Sequence, residues 1–176
     1  IETLGCKVNQ HEGQAIREQM LELGLCETGL AQGADVAIIN TCTITAAADQ
    51  KCRNRVRRAV RANPQSLVIV TGCAAAVDPD RYARIPGVWR VLPKDRMGSI
   101  GAVLAGAAAV PGRVFDLRIR EFAGHTRAFL KVQDGCDAFC SYCIVPLARG
   151  AVQSRPLPEI AAEAQRLVEH GHREIV

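Results

Sequence analysis

One plan recurs three times in the first half of the chain: a short apolar strand, then a cysteine, then a helix. Residues 1–4 lead to Gly5-Cys6 and a helix expected over about 9–23. Residues 36–40 lead to Thr41-Cys42 and a helix over about 46–62, and residues 67–71 lead to Gly72-Cys73 and a short helix near 80–85. Strands that alternate with helices build βαβ units, whose strands run parallel. A cysteine that follows each strand then falls on the carboxyl edge of the sheet, where open α/β folds bind ligands. Neighbouring strands lie roughly 4.8 Å apart, so three adjacent strands bring three thiols within about 10 Å of one another. One iron-sulfur cluster would collect Cys6, Cys42 and Cys73. The alternative is that each is a small apolar filler, since free cysteine is among the most buried residue types.

Two further cysteines serve as controls. Cys52 is in helical phase with Ala48, Val56 and Val60, a stripe that faces a core. Cys26 follows Gly24-Leu25, where the first helix ends. Both are expected to be packing residues.

From residue 94 to 112 the chain is poor in strand formers, with a helix expected over 98–109 and stopped by Pro111-Gly112. The domain boundary belongs there, dividing residues 1–112 from 113–176. Residues 127–133 then read as a strand leading to Gly-Cys136-Asp-Ala-Phe-Cys140-Ser-Tyr-Cys143. A helix over 158–169, with Ile160, Ala164, Leu167 and Val168 inward, precedes a strand beginning at Arg173. This β, loop, α, β order is the opening of a parallel (β/α) barrel, with the cysteine loop on the face where barrel active sites lie. The chain begins mid-strand at Ile1 and stops in Glu174-Ile175-Val176, so it reads as a piece of a longer protein.

Three thiolates at Cys136, Cys140 and Cys143 would ligate three irons of a 4Fe-4S cluster, whereas closed structural zinc sites and simple electron-transfer clusters take four ligands. The open fourth position is where chemistry would occur. A zinc site is the alternative, but His125, His170 and His172 lack local zinc-ligand spacing. Eight cysteines suit a disulfide scaffold in a short secreted chain, yet no signal-like segment precedes them, and the α/β pattern fits reduced, cytoplasmic thiols. The apolar stretch 99–110 is too short to span a bilayer, so no membrane role is expected.

The net charge of +4 is modest, but Lys51, Arg53, Arg55, Arg57, Arg58 and Arg61 load one helix with no acid between them. That face is either an RNA contact or simply solvated. Arg149 and Arg155 follow the cysteine loop, for contact with a carboxylate of substrate or cofactor or for salt bridges. Phe139 is expected to pack and shield a cluster.

Taken together, Thr3 to Gln10, Asn40-Thr41-Cys42, Val70 to Cys73 and Gly135 to Gly150 resemble the methylthiotransferase family of radical S-adenosylmethionine enzymes. The resemblance covers nearly the whole chain. It implies a Rossmann-like parallel-sheet N-terminal domain followed by the start of a radical S-adenosylmethionine partial barrel. It also implies two 4Fe-4S clusters, an auxiliary one on Cys6, Cys42 and Cys73 and a second on Cys136, Cys140 and Cys143, whose free iron chelates S-adenosylmethionine. Tyr142 would lie near the adenine of that cofactor, or pack in the loop, and Arg149 would bind the cofactor. The blocks Gly5 to Gln10 and His125 to Lys131 look most like the branch that methylthiolates carbon 2 of threonylcarbamoyladenosine beside the tRNA anticodon. The isopentenyladenosine branch, and enzymes acting on a ribosomal-protein aspartate, are alternatives; a non-catalytic zinc and RNA-binding protein is another. Cys52 stands where the family is expected to have Ser, and His11 where Tyr is common. The implied partners are the tRNA anticodon stem-loop, S-adenosylmethionine and an electron-donor protein.

Overall fold

Near-continuous apolar runs, rather than alternating ones, mark strands covered on both faces. Residues 36–41 and 67–72 are such runs, and they form the centre of the sheet. The computed structural model describes residues 1–112, 115–122 and 124–176. In chain order it contains β1 (Glu2–Thr3), α1 (Lys7–Glu22), β2 (Val36–Thr41), α2 (Ala46–Ala62), β3 (Leu67–Gly72), α3 (Cys73–Val77), α4 (Pro79–Ala83) and β4 (Val88–Val91). Then follow α5 (Ile100–Leu104), β5 (Arg127–Ala128), β6 (Gln133–Asp134), α6 (Val145–Arg149), β7 (Gln153–Ser154), α7 (Leu157–Glu169) and β8 (Glu174–Ile175). Strands β1 to β4 form one parallel sheet in sequence order. The central pair is in register from Val36 opposite Leu67 to Thr41 opposite Gly72, so both strands end level.

Alternate residues of the two central strands go to opposite layers. Ile38 and Ile69 pack with Ile16, Met20 and Ile100 on the side of α1 and α5. Ala37, Ile39, Val68 and Val70 pack with Cys52, Val56, Ala59 and Tyr82 on the side of α2 and α4. The first layer also takes in Leu117, Ile119, Phe122, Ala128 and Leu167, so α1 is covered by the later part of the chain as well. Each buried Ile or Leu contributes about 1.5–3 kcal/mol relative to exposure. Strand β5 pairs in parallel with β8, joined through α7, while β6 pairs antiparallel with β7 beside the cysteine loop.

Several expectations need correction. Strand β4 has only four residues and an exposed Trp89-Arg90 centre, so it carries no apolar run to announce it. The third strand's helix begins at Cys73 itself, and a second short helix runs from Pro79, with Asp78 accepting from the Arg81 amide as its cap. The helix expected over 98–109 is shorter, Ile100–Leu104 after a 3-10 turn over Lys94–Ser99; it ends where Gly106 turns left-handed at φ 86°. The strand expected over 127–133 is two two-residue strands with different partners. In α7 the inward stripe includes Glu163 and Leu167, whereas Val168 points out, 60 % exposed. The start expected for the second segment, residue 113, lies outside the described residues.

Gly72 illustrates how the sheet end is made. Its φ of 92° is left-handed, and a Cβ there would sit 2.5 Å from the Thr41 carbonyl oxygen and 2.6 Å from its nitrogen. Only glycine lets β3 close against β2 and deliver Cys73 at the first position of α3. Gly72→Ala is therefore expected to cost about 2–5 kcal/mol, from backbone strain plus overlap. Gly24, also left-handed but with nothing near its missing Cβ, should cost only about 1–2 kcal/mol when changed to Ala. Urea midpoints of the two variants measure the difference.

Candidate functional site

The strand ends put three thiols around one space. Cys6 precedes α1, Cys42 follows β2, and Cys73 opens α3, and all three line a pocket of about 240 Å³. Gly5, with φ 113°, makes the close approach possible: a Cβ on it would lie 2.6 Å from Cys42 Cβ and 2.7 Å from Cys42 Sγ. Cys6 Sγ and Cys73 Sγ both face Asn9 Oδ1, at 3.9 and 3.7 Å. Asn9 is fully buried and held in place because its amide donates at 2.8 Å to the carbonyls of both Leu4 and Thr41. Asn40 adds a bond to the Asn9 carbonyl at 3.0 Å. The topology thus gathers Cys6, Cys42 and Cys73 as the sequence suggests, and all eight cysteines are free thiols.

The pocket's other wall comes from the far part of the chain: Asp134 and Gly135 before the second cysteine run, and Ile144, Ala148 and Arg149 after it. Cys136, Cys140 and Cys143 do not line the pocket themselves. Their loop is closed at its base, where the Cys136 amide donates to the Gly150 carbonyl at 3.1 Å, and Cys140 is exposed. Among the described residues no three His, Cys, Asp or Glu side chains converge tightly enough to ligate a single metal ion. A cubane cluster takes one thiolate per iron, so its ligands stand further apart than those of one zinc ion. Three free thiols spaced round one pocket suit the former donor set.

The residues expected around the second run are placed as follows. Tyr142 is 90 % exposed, and Phe139, expected to pack and shield, is 72 % exposed with a left-handed φ of 47°. Shielding by Phe139 is therefore corrected: the ring packs against nothing in the core. Cys26 is also corrected, since the turn after α1 leaves it exposed, whereas Cys52 is fully buried as expected. Cys52 does more than fill space. Its sulfur accepts from the Cys42 amide at 3.2 Å and its thiol donates to the Cys42 carbonyl at 3.4 Å, and burial pushes its pKa up to about 11. It stays a neutral thiol that fixes the backbone of Cys42.

Of the charged groups behind the pocket, sequence reasoning picked out Arg149, with a salt bridge among its readings, and missed Glu12, Lys94, Lys131 and Asp134. Glu12, 1 % exposed, accepts from Lys94, from Lys131 at 2.8 Å and from Arg149 at 3.4 Å. Asp134 pairs with Lys131 at 2.6 Å and accepts from Arg149 at 2.8 Å. Arg149 also donates to Asn9 Oδ1 at 2.6 Å, directly behind Cys6 and Cys73. Burial would raise the pKa of Glu12, but Lys94, Lys131 and Arg149 together bring it down to about 2. The same cations hold Asp134 well below the usual carboxylate range against its own burial. Burial raises the Cys73 thiol, with Arg149 opposing. Three cations against two carboxylates leave one positive charge in excess beside the thiols. A separate buried cluster joins α1 to α7, where Glu163 accepts from Arg155 at 2.8 Å and meets His11 Nε2 at 2.9 Å. Arg155 therefore makes a salt bridge. The missed signal was present in α1: Asn9, Glu12, Ile16 and Met20 form one helical stripe whose first two members are polar.

Glu12→Gln strands three buried cations with one carboxylate and is expected to cost about 3–5 kcal/mol, seen in the urea midpoint. The pH dependence carries its own sign. Because the folded pKa of Glu12 lies below its ordinary 4.5, the stabilisation is complete above pH 4.5 and is lost as pH falls toward about 2. Acid titration followed by Trp89 fluorescence should show that loss in the wild type and a smaller one in Glu12→Gln.

The sequence profile of the family described as "Uncharacterized protein family UPF0004" matches residues 1–92, from β1 through β4. The chain is 41% identical, over 99% of its length, to the threonylcarbamoyladenosine tRNA methylthiotransferase MtaB of Bacillus subtilis. It is 41% identical over 98% of its length to the protein of the same name from Chlamydia pneumoniae. A tRNA-2-methylthio-N(6)-dimethylallyladenosine synthase of Novosphingobium aromaticivorans is 33% identical over 99% of the chain. The chain spans about two fifths of each of these relatives, 41%, 41% and 42% of their lengths. With a profile match over more than half its residues, taking in all three strand-end cysteines of the pocket, the chain belongs to the UPF0004 family.

Proposed function

We propose that the protein carrying this chain is a tRNA methylthiotransferase that adds a methylthio group to carbon 2 of threonylcarbamoyladenosine next to the anticodon. The observation that carries the proposal is the single pocket in which Cys6, Cys42 and Cys73, from three separate strand ends, meet the base of the loop bearing Cys136, Cys140 and Cys143. The names of the relatives at 41% identity support the threonylcarbamoyladenosine substrate over the dimethylallyladenosine one, whose bearer is 33% identical.

In this proposal residues 1–112 form an auxiliary-cluster domain and residues 113–176 begin the radical S-adenosylmethionine domain. Cys6, Cys42 and Cys73 hold one 4Fe-4S cluster, and Cys136, Cys140 and Cys143 hold the other. Bound there, the clusters and S-adenosylmethionine would supply the sulfur, the methyl group and the one-electron chemistry, with an electron-donor protein as reductant. The chain's own residues prepare the space. Val8, Ile44, Ile144 and Ala148 give the pocket apolar walls that limit water. Asn9 and Cys52 set the positions of the ligating thiols. Arg149 brings a fixed positive charge against Asn9 and Cys73, favouring thiolate there, and so acts toward the first cysteine set while sitting in the loop of the second. Tyr142, exposed beside Cys143, is available to an adenine ring. No helix among the described residues is long and apolar enough to cross a membrane.

After anaerobic reconstitution, the protein should hold about eight irons, and about four when either cysteine set is replaced by Ala. Mass spectrometry of tRNA nucleosides should show the 2-methylthio product only with both sets intact. Stoichiometric zinc without iron would replace this proposal with a non-catalytic RNA-binding protein.

A further inference from the structure

We infer that the outward face of α2 is a track for the RNA backbone, carrying the strand that leads to a base held in the pocket of Cys6, Cys42 and Cys73. The inference rests on the proposal that the substrate is an RNA and adds to it the surface that binds the strand. Cys52, Val56 and Ala59 turn one side of α2 to the sheet. At 3.6 residues per turn the opposite side presents Asn54, Arg57, Arg58 and Arg61, with Lys51 at its edge, and all five are exposed.

The charges on this helix divide into two groups. Arg53, on one flank, pairs with Asp49, and Arg55, on the other, lies 3.6 Å from Glu2. Asp49 is further engaged by Arg81 and the Tyr82 hydroxyl. Lys51, Arg57, Arg58 and Arg61 have no carboxylate partner among the described residues. A solvated helix face ordinarily mixes signs at i, i+4, whereas like charges so spaced destabilise the helix. Here Arg57 and Arg61 are four apart and Arg58 and Arg61 three apart. Proximity to the helix C-terminus explains Arg61 alone, since the dipole acts only within the last turn and α2 ends at Ala62. The arrangement is unfavourable in isolation and is relieved by an external anion.

Position ties the face to the site. Ile44, two residues past Cys42, lines the pocket, and Thr45 caps α2 by accepting from the Ala48 amide at 3.1 Å. At a rise of 1.5 Å per residue the cations stand about 8 to 23 Å along the helix from its start at the pocket. A line of single-sign charge about 15 Å long matches consecutive phosphates of one strand, which position a nucleic acid without reading its sequence.

The test uses the full-length protein with an anticodon stem-loop RNA as probe, titrated at several salt concentrations. Replacing Arg57, Arg58 and Arg61 together by Gln should weaken binding about tenfold at low salt and reduce the log-log salt slope by about 2, each lost phosphate contact contributing roughly 0.7–0.9. Iron content and circular dichroism should be unchanged, and Arg53→Gln, which removes a paired cation, should leave the slope as it is. An unchanged slope and affinity in the triple variant overturns the inference. Its failure is separable from failure of the proposed function. A wild-type protein that makes the methylthio product while the triple variant binds normally defeats only the track, whereas a slope dependent on these arginines without any methylthio product defeats only the proposed reaction.

Discussion

The charged cluster under the pocket is the constraint on which the site depends. Glu12 and Asp134 are removed from water, so each must stay close to cations or lose its charge. The cations come from three places: Lys94 before α5, Lys131 between β5 and β6, and Arg149 at the end of α6. Satisfying two carboxylates therefore draws the later segments onto the N-terminal half of α1. Asp134 and Arg149 stand at the entry and exit of the second cysteine loop and bond to each other, so the cluster also closes that loop at its base. Apolar packing could hold these segments together, but it would not set their register. Directional bonds to a buried carboxylate do.

The cluster also links the two cysteine sets chemically. Arg149 belongs to the loop of the second set, and its guanidinium ends on Asn9 Oδ1, the atom faced by Cys6 and Cys73. Asn9 in turn is held by the carbonyls of Leu4 and Thr41, at the ends of β1 and β2. Arg149 and Asn9 thus form a hydrogen-bonded connection from the second loop to the first set. On the opposite side of Cys42, Cys52 clasps the backbone at both its N–H and its carbonyl. Serine, which the resemblance leads one to expect at that position, would offer the same donor and acceptor.

Charge on this protein is used in two ways. In the interior, carboxylates and cations nearly balance, as a low dielectric demands. On the outer face of α2, where water screens repulsion, cations accumulate without carboxylate partners among the described residues. The acids near that helix are turned to its flanks. The overall charge of +4 conceals this division.

What the sequence determined by itself was local and periodic. Apolar runs ending in cysteine at Cys6, Cys42 and Cys73 specified three parallel strands and the edge on which the thiols lie, because strand direction and side-chain order follow from the chain alone. Strand β4 escaped notice because four residues with an exposed Trp89-Arg90 centre acquire strand geometry only by pairing with β3. The extended run at 127–133 was legible, but its division into β5, paired with β8, and β6, paired with β7, depends on partners supplied by later parts of the chain. Val168, expected inward with the apolar stripe of its helix, and Phe139, expected to pack in its loop, are both exposed. Tertiary structure alone decided the charged cluster. Glu12, Lys94, the Lys131–Asp134 pair and Arg149 come from four separate stretches of the chain, the sequence marked only Arg149 among them, and only burial in a common space makes their mutual attraction strong enough to organise the site.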